Sequence, residues 1–130
     1  MSFVEAASIY EMPEGTMKAV EIKGKEILLA NVGGTVYAVS ERCGHMNAPL
    51  ARGVLNGKIV TCPLHFSRFD VTSGKMVSGP VEVKAEGVDK LPAVFLKMAI
   101  YVAEMEALIR THDLETFPVK VDGLKILVDI

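Results

Sequence analysis

The chain has 130 residues, half of them apolar and 23% charged, which excludes a disordered polymer and suits a single globular domain, 1–130, with room for a core. A formal net charge of −2, with no basic run and no aromatic residues interleaved among basic ones, excludes nucleic acid as a partner. The two cysteines each stand beside a histidine, which reads as metal ligation in a reducing compartment more readily than as a disulfide.

Met1 to Met12 contains Glu5 and Glu11 and lacks a basic stretch followed by a long apolar one, so it is no secretory signal and a cytoplasmic location is expected. Met17–Ile22 and Lys25–Val32 are rich in branched residues and are split by Gly24; Gly33-Gly34 then leads into Thr35–Val39. Strand, glycine turn, strand is the simplest reading. The first ligand-type cluster follows, Cys43-Gly44-His45. Asn56-Gly57 is a turn signal before the short strand Lys58–Thr61, which delivers Cys62-Pro63-Leu64-His65 into a second loop. Phe66–Val71 is read as another strand, closed by Thr72-Ser73-Gly74-Lys75. The C-terminal Pro118–Ile130 alternates about Gly123 as a half-buried hairpin would. Mostly antiparallel β-structure is predicted.

One segment departs from that pattern. Leu91–Arg110 has no glycine, and its one proline, Pro92, stands where a first helical turn tolerates it, after a plausible cap at Asp89. A helix of about five turns is predicted over 91–110. Lys97 with Glu104, and Glu106 with Arg110, mark two roughly opposite polar faces with apolar residues between them. Those charges exclude a transmembrane span and favour a helix packed on two sides, by its own β-domain and by a partner. His112, just beyond, suits the negative end of the helix dipole.

The two short ligand pairs carry the chemistry. Cys43 and His45, then sixteen residues from Met46 to Thr61, then Cys62 and His65 supply two thiolates and two imidazoles from two loops. That set can hold a 2Fe-2S cluster with cysteines on one iron and histidines on the other. A tetrahedral structural zinc wants the same donors and stays open as an alternative. For an oxidised cluster, two ferric ions, two sulfides, two thiolates and two neutral imidazoles sum to about zero, whereas four thiolates leave about −2. The neutral set accepts an electron more easily, which is why histidine ligation raises the potential to about −150 to +300 mV, against about −400 mV for plant-type ferredoxins. Histidines also turn a second ring nitrogen toward the loop surface, so electrons would enter and leave through His45 and His65.

The motif Cys-x-His, sixteen residues, Cys-x-x-His resembles that of the Rieske proteins, and the chain is similar to the soluble ferredoxin components of ring-hydroxylating dioxygenases and the small subunits of some nitrite reductases. The resemblance covers Met17 to about Val83 and Leu114 to Ile130. It implies a mainly β Rieske-like antiparallel sandwich or barrel with a small cluster-binding subdomain, loops 41–50 and 62–70. It also implies one Rieske-type 2Fe-2S cluster per chain on Cys43, His45, Cys62 and His65. Pro63 matches, as does Ser78-Gly79-Pro80, similar to the loop whose proline, Pro80, covers the cluster; Ser67 matches a serine that donates toward a bridging sulfide. Ala48 and Leu64 stand where high-potential members have a disulfide, and Phe69 where those members have a tyrosine that donates to a ligand sulfur. Fewer donors lower the potential, so the lower half of the Rieske range is expected. Phe66 replaces the small or polar residue of many relatives and is read as core. Residues 81–113, carrying the predicted helix, are an addition to the family pattern.

A one-electron carrier between a reductase and a terminal oxygenase or reductase is therefore expected, with catalysis elsewhere. The chain has no Gly-x-Gly-x-x-Gly and no further His and carboxylate cluster for mononuclear iron. An alternative is a redox-sensing or structural subunit that docks a partner, or a second copy of itself, through helix 91–110. The segment from Glu41 to Lys75 holds five basic residues against two acidic ones, net +3, and the remainder is −5, which reads either as simply solvated loops or as a surface for an acidic partner.

Overall fold

Ile27-Leu28-Leu29-Ala30 is a continuous apolar run rather than an alternating one, the pattern of a strand buried on both faces. The computed structural model, which describes residues 2–44, 48–63, 66–79, 92–107 and 111–130 (backbone alone at 99 and 102–107), puts this run between two cores. The strands are β1 (Phe3–Ser8), β2 (Met17–Ile22), β3 (Lys25–Val32), β4 (Thr35–Ser40), β5 (Val54–Asn56), β6 (Ile59–Thr61), β7 (Arg68–Asp70), β8 (Met76–Ser78), β9 (Thr116–Phe117), β10 (Val119–Asp122) and β11 (Lys125–Asp129). A single α-helix among the described residues, α1, spans Ala93–Ala107.

Every named strand pair is antiparallel. The strands form three sheets, in the orders β1-β11-β10, β2-β3-β4-β9 and β5-β6-β7-β8. The Gly33-Gly34 turn, with φ of 60° and 92°, needs glycine because both positions are left-handed, the conformation of a two-residue hairpin turn. Side chains alternate along a strand, so β3 sends Ile27 and Leu29 one way and Leu28 and Ala30 the other. Ile27 and Leu29 join Val36, Ala38, Ile126 and Val128 in one core, against the first sheet. Leu28 and Ala30 join Val39, Val60, Phe69, Val71, Cys43 and Cys62 in the other, against the third. Each fully buried Leu or Ile contributes about 1.5–3 kcal/mol, so β3 anchors both layers.

The expected mainly β, antiparallel architecture with an inserted helix is observed. Two local expectations are corrected. The strand predicted over Phe66–Val71 is Arg68–Asp70 alone, because Phe66 adopts a left-handed backbone (φ 63°) that no strand permits. The helix begins at Ala93, with the Pro92 carbonyl accepting from the N–H groups of Phe95 (2.9 Å) and Leu96 (3.0 Å), so Pro92 precedes the first turn instead of opening it. It is described to Ala107; Asp89, Leu91 and the predicted end at 108–110 lie outside the described residues, as do 81–90 of the added segment. Among the described residues neither core contains a helix side chain, and Val94, Phe95, Met98, Ile100 and Tyr101 are exposed; the side chains at 99 and 102–110, on which the expected packing against its own domain also depends, lie outside the described residues. Strands β1 and β9 were not foreseen: β1 pairs with β11 at the far end of the chain, and β9 is only two residues long.

Candidate metal centre

The two cysteines open two matched loops. Cys62 follows β6, and Thr61 pairs with Arg68 of β7, so 62–67 is the tip of a hairpin. Its mouth is closed by the Cys62 N–H donating to the Ser67 carbonyl at 2.8 Å. Cys43 follows an isolated β-bridge between Arg42 and Pro49, and the Cys43 N–H donates to the Ala48 carbonyl, again at 2.8 Å. Each loop is thus a six-residue tip with a cysteine first and its N–H bonded five residues on. Both side chains are buried and lie in one core, and neither cysteine is in a disulfide. His45, His65 and Pro80 lie outside the described residues.

The base of the first loop is pinned to the central sheet. Arg42 forms a two-pronged pair with Glu26 of β3, Nε to Oε2 at 2.6 Å and Nη2 to Oε1 at 2.9 Å. The arginine holds the Glu26 carboxyl below its usual range, chiefly through that hydrogen bond. Glu41 is buried; its Oε1 accepts from the Ala51 N–H at 3.2 Å and its backbone carbonyl from the Leu50 N–H at 3.0 Å. Burial pushes its carboxyl up, against the opposing pull of the Ala51 bond and of Arg42.

A segment distant in sequence joins the first loop to the β7–β8 turn. The His112 N–H donates to the Gly44 carbonyl (3.0 Å), the Leu114 N–H to the Gly74 carbonyl (2.7 Å), and the Met76 N–H to Asp113 Oδ1 (2.8 Å). Gly44 stands at a close approach: a Cβ there would sit 1.9 Å from the His112 carbonyl oxygen. His112 therefore serves the first loop through its backbone; the helix end beside which it was expected lies outside the described residues. Sequence reasoning missed this clasp; the one signal was a glycine between two ligand-type residues with no turn to account for it.

Three buried side-chain oxygens have no hydrogen-bond partner among the described residues: Ser67 Oγ, Glu41 Oε2 and Asp129 Oδ1. Ser67 is fully buried at the closing position of the second loop, beside Cys62 in the backbone pairing. An unsatisfied buried hydroxyl costs about 1–3 kcal/mol unless something accepts its proton. A sulfide-bearing cluster between the two loops would accept it, and two buried thiols in one core fit such a group. Ala48 is buried at 8% exposure and Phe69 at 0%, so one of the two disulfide positions holds a methyl group and the tyrosine position holds a ring without a donor; Leu64 lies outside the described residues. Phe66 is 46% exposed, which corrects its reading as core.

The basic balance of this region is partly internal. Arg42 is engaged by Glu26, and Lys58 lies 3.3 Å from Asp70 Oδ2, which leaves Arg52, Arg68 and Lys75 without an ion pair among the described residues.

Residues 2–117 match the model of the Rieske 2Fe-2S domain. The chain is 30% identical over 128 residues to the ferredoxin component of a naphthalene 1,2-dioxygenase system of Pseudomonas aeruginosa, covering 98% of this chain and 95% of that one. It is 30% identical over 131 residues to a 3-phenylpropionate/cinnamic acid dioxygenase ferredoxin subunit of Shigella boydii, covering 100% and 95%. Among solved structures it is similar to the ferredoxin of carbazole 1,9a-dioxygenase from Nocardioides aromaticivorans, with a TM-score of 0.70, 27% identity and coverage of 98% and 97%. Matched thiol-first loops, an orphaned buried hydroxyl at the close of the second and these likenesses converge: the chain belongs to the Rieske 2Fe-2S family, and it is an electron carrier of the ferredoxin type, not itself an enzyme.

Proposed function

We propose that Cys43 and Cys62 bind one iron and His45 and His65 the other, and that the chain passes single electrons from a reductase to the terminal oxygenase of an aromatic ring-hydroxylating system in the cytoplasm. The observation that carries the ligand assignment is the pairing of two buried thiols at the heads of two matched loops with the partnerless Ser67 Oγ. When bound, the cluster supplies a single one-electron couple. The chain's own residues do the rest. The Gly44–His112 contact braces the first loop and the Gly74–Leu114 contact the turn after β7, Ser67 offers a hydroxyl to the cluster, and the buried wall of Leu50, Val60 and Phe69 keeps water from its inner side. The names of the full-length relatives favour an oxygenase as acceptor. Among the described residues no helix is long and apolar enough to cross a membrane, in keeping with a soluble carrier.

The test is reconstitution. The holo-protein, a flavin reductase and the naphthalene-type or 3-phenylpropionate-type oxygenase are mixed with NADH, and product formation that depends on this chain is the expected result. Turnover that ignores its omission sinks the assignment.

Helix α1 favours a second contact. Val94, Met98 and Tyr101 fall on one helical face and are each at least 60% exposed, an apolar stripe rare on a monomer's surface. We infer self-association through it. Light scattering on the intact holo-protein and on a form lacking 90–111 checks this; a monomer in both would refute it.

A further inference from the structure

Phe66 combines two features that a folded chain ordinarily avoids. Its φ of 63° lies in the left-handed region, where a bulky aromatic residue is an outlier and glycine is at ease. Its side chain is also 46% exposed. The neighbouring anchor does not allow it to relax: Ser67 is fully buried, and its carbonyl closes the loop onto Cys62. Strain of this kind persists where the surroundings over-determine it, and it clusters at functional positions. A glycine would remove the strain and the exposed ring together, so the ring's benefit must lie outside the isolated chain.

Position indicates where. Phe66 directly follows the proposed ligand His65 in the sequence. A partner that approaches the His65 ring to receive an electron must cover Phe66 as well. The flanking surface continues the character: Arg68 is exposed, its Nε donates to Ser78 Oγ at 2.8 Å, and it has no ion pair among the described residues. Beyond it on the paired strand β8, Val77 is exposed.

We propose that Phe66 is the apolar anchor by which the loaded protein docks its terminal oxygenase, entering a depression of apolar side chains with a carboxylate at its rim to meet Arg68. This rests on the oxygenase reading above. Exposed aromatic anchors at the centre of an interface dominate its energy, and one placed beside the exit ligand couples recognition to a short electron path. The same residue selects among oxygenases, since a partner with a flat or charged surface there would leave the ring unburied.

The test compares wild-type holo-protein with Phe66→Gly and Phe66→Leu, using the naphthalene-type and 3-phenylpropionate-type oxygenases as probes. Phe66→Gly is expected to keep the midpoint potential and the reduced-state EPR spectrum, with Tm unchanged or raised. The KM of the accepting oxygenase for the ferredoxin rises about tenfold with kcat held, and Phe66→Leu recovers part of that loss. An unchanged KM in Phe66→Gly overturns the proposal. So does a fall in Tm or a moved EPR spectrum, which would make Phe66 a packing residue or a cover over the cluster. If wild type passes electrons to neither oxygenase while its cluster is intact, the oxygenase reading itself is overturned and the anchor with it.

Discussion

The central sheet and the third sheet face each other across one core, yet they solve the problem of buried polar groups in opposite ways. In β3, Asn31 is buried and fully used: its Nδ2 donates to the Met12 carbonyl (2.7 Å) and its Oδ1 accepts from the Gly34 N–H (2.9 Å). In the ligand loops, Ser67 is buried and its hydroxyl has no partner among the described residues. The strands differ in kind as well, eight residues in β3 against three in each of β5, β6, β7 and β8. One part satisfies its buried polar side chain within the fold. The other leaves a buried hydroxyl that the proposed cluster would complete.

The largest expected effect breaks that second part outright. Cys43→Ser or Cys62→Ser removes a proposed thiolate ligand, and the purified protein should lack the visible absorption and reduced-state EPR of the cluster while the far-UV signal of the β-body persists. A cluster retained in either variant would refute the ligand assignment.

Next come the close approaches. Gly44→Ala places a Cβ 1.9 Å from the His112 carbonyl oxygen, and displaced backbone should cost about 2–3 kcal/mol and lower cluster occupancy. Gly57→Ala is the control: its φ is 59° but nothing lies within 4 Å, so strain alone should cost about 1 kcal/mol. Urea titrations of the two should therefore separate; equal midpoints would mean the clasp at His112 is loose.

Ser67→Ala sharpens the comparison by reversing sign. In cluster-free protein the orphaned hydroxyl is a burden, so alanine should be neutral or stabilising by about 1 kcal/mol. In loaded protein the same change removes a donor to the cluster. A loss of about 1 kcal/mol from the reduced form lowers the midpoint by about 40 mV. Destabilisation of both forms would show that the hydroxyl serves the protein fold.

The smallest effect lies at the turn behind the loop. Burial alone would raise the Asp70 carboxyl, but hydrogen bonds from the Thr72 hydroxyl (2.6 Å) and N–H (2.8 Å), with Lys58 beside it, hold it below its ordinary 3.8. A depressed folded value means stability present above the ordinary value and lost as pH falls through the folded one. Asp70→Asn should cost about 0.5–1 kcal/mol near neutrality, and the gap in Tm between the two proteins should close in strong acid. A gap independent of pH would assign the cost to the turn geometry alone.

Much of this was legible because it is local. The Gly33-Gly34 and Asn56-Gly57 turns announce their hairpins, and Cys43, His45, Cys62 and His65 announce a centre through spacing that few other sites use. What was not legible depends on residues far apart in the chain. The Gly44–His112 clasp joins positions 68 apart, and β1 finds β11 across nearly the full length. The expected basic docking face lost Arg42 and Lys58 to Glu26 and Asp70, partners that no local pattern reveals. Phe66 was misread because an aromatic residue is ordinarily inside, and only its backbone angle marks it as an exception.

The central claim is that the third sheet and its loops enclose a Rieske cluster without the disulfide or the tyrosine donor of high-potential members, and its midpoint potential tests that most directly. Protein-film voltammetry of the holo-protein should give one reversible one-electron wave between about −150 and about +75 mV. A midpoint above about +150 mV would contradict the role given to Ala48 and Phe69, and the absence of any wave between about −150 and about +300 mV would contradict the cluster itself.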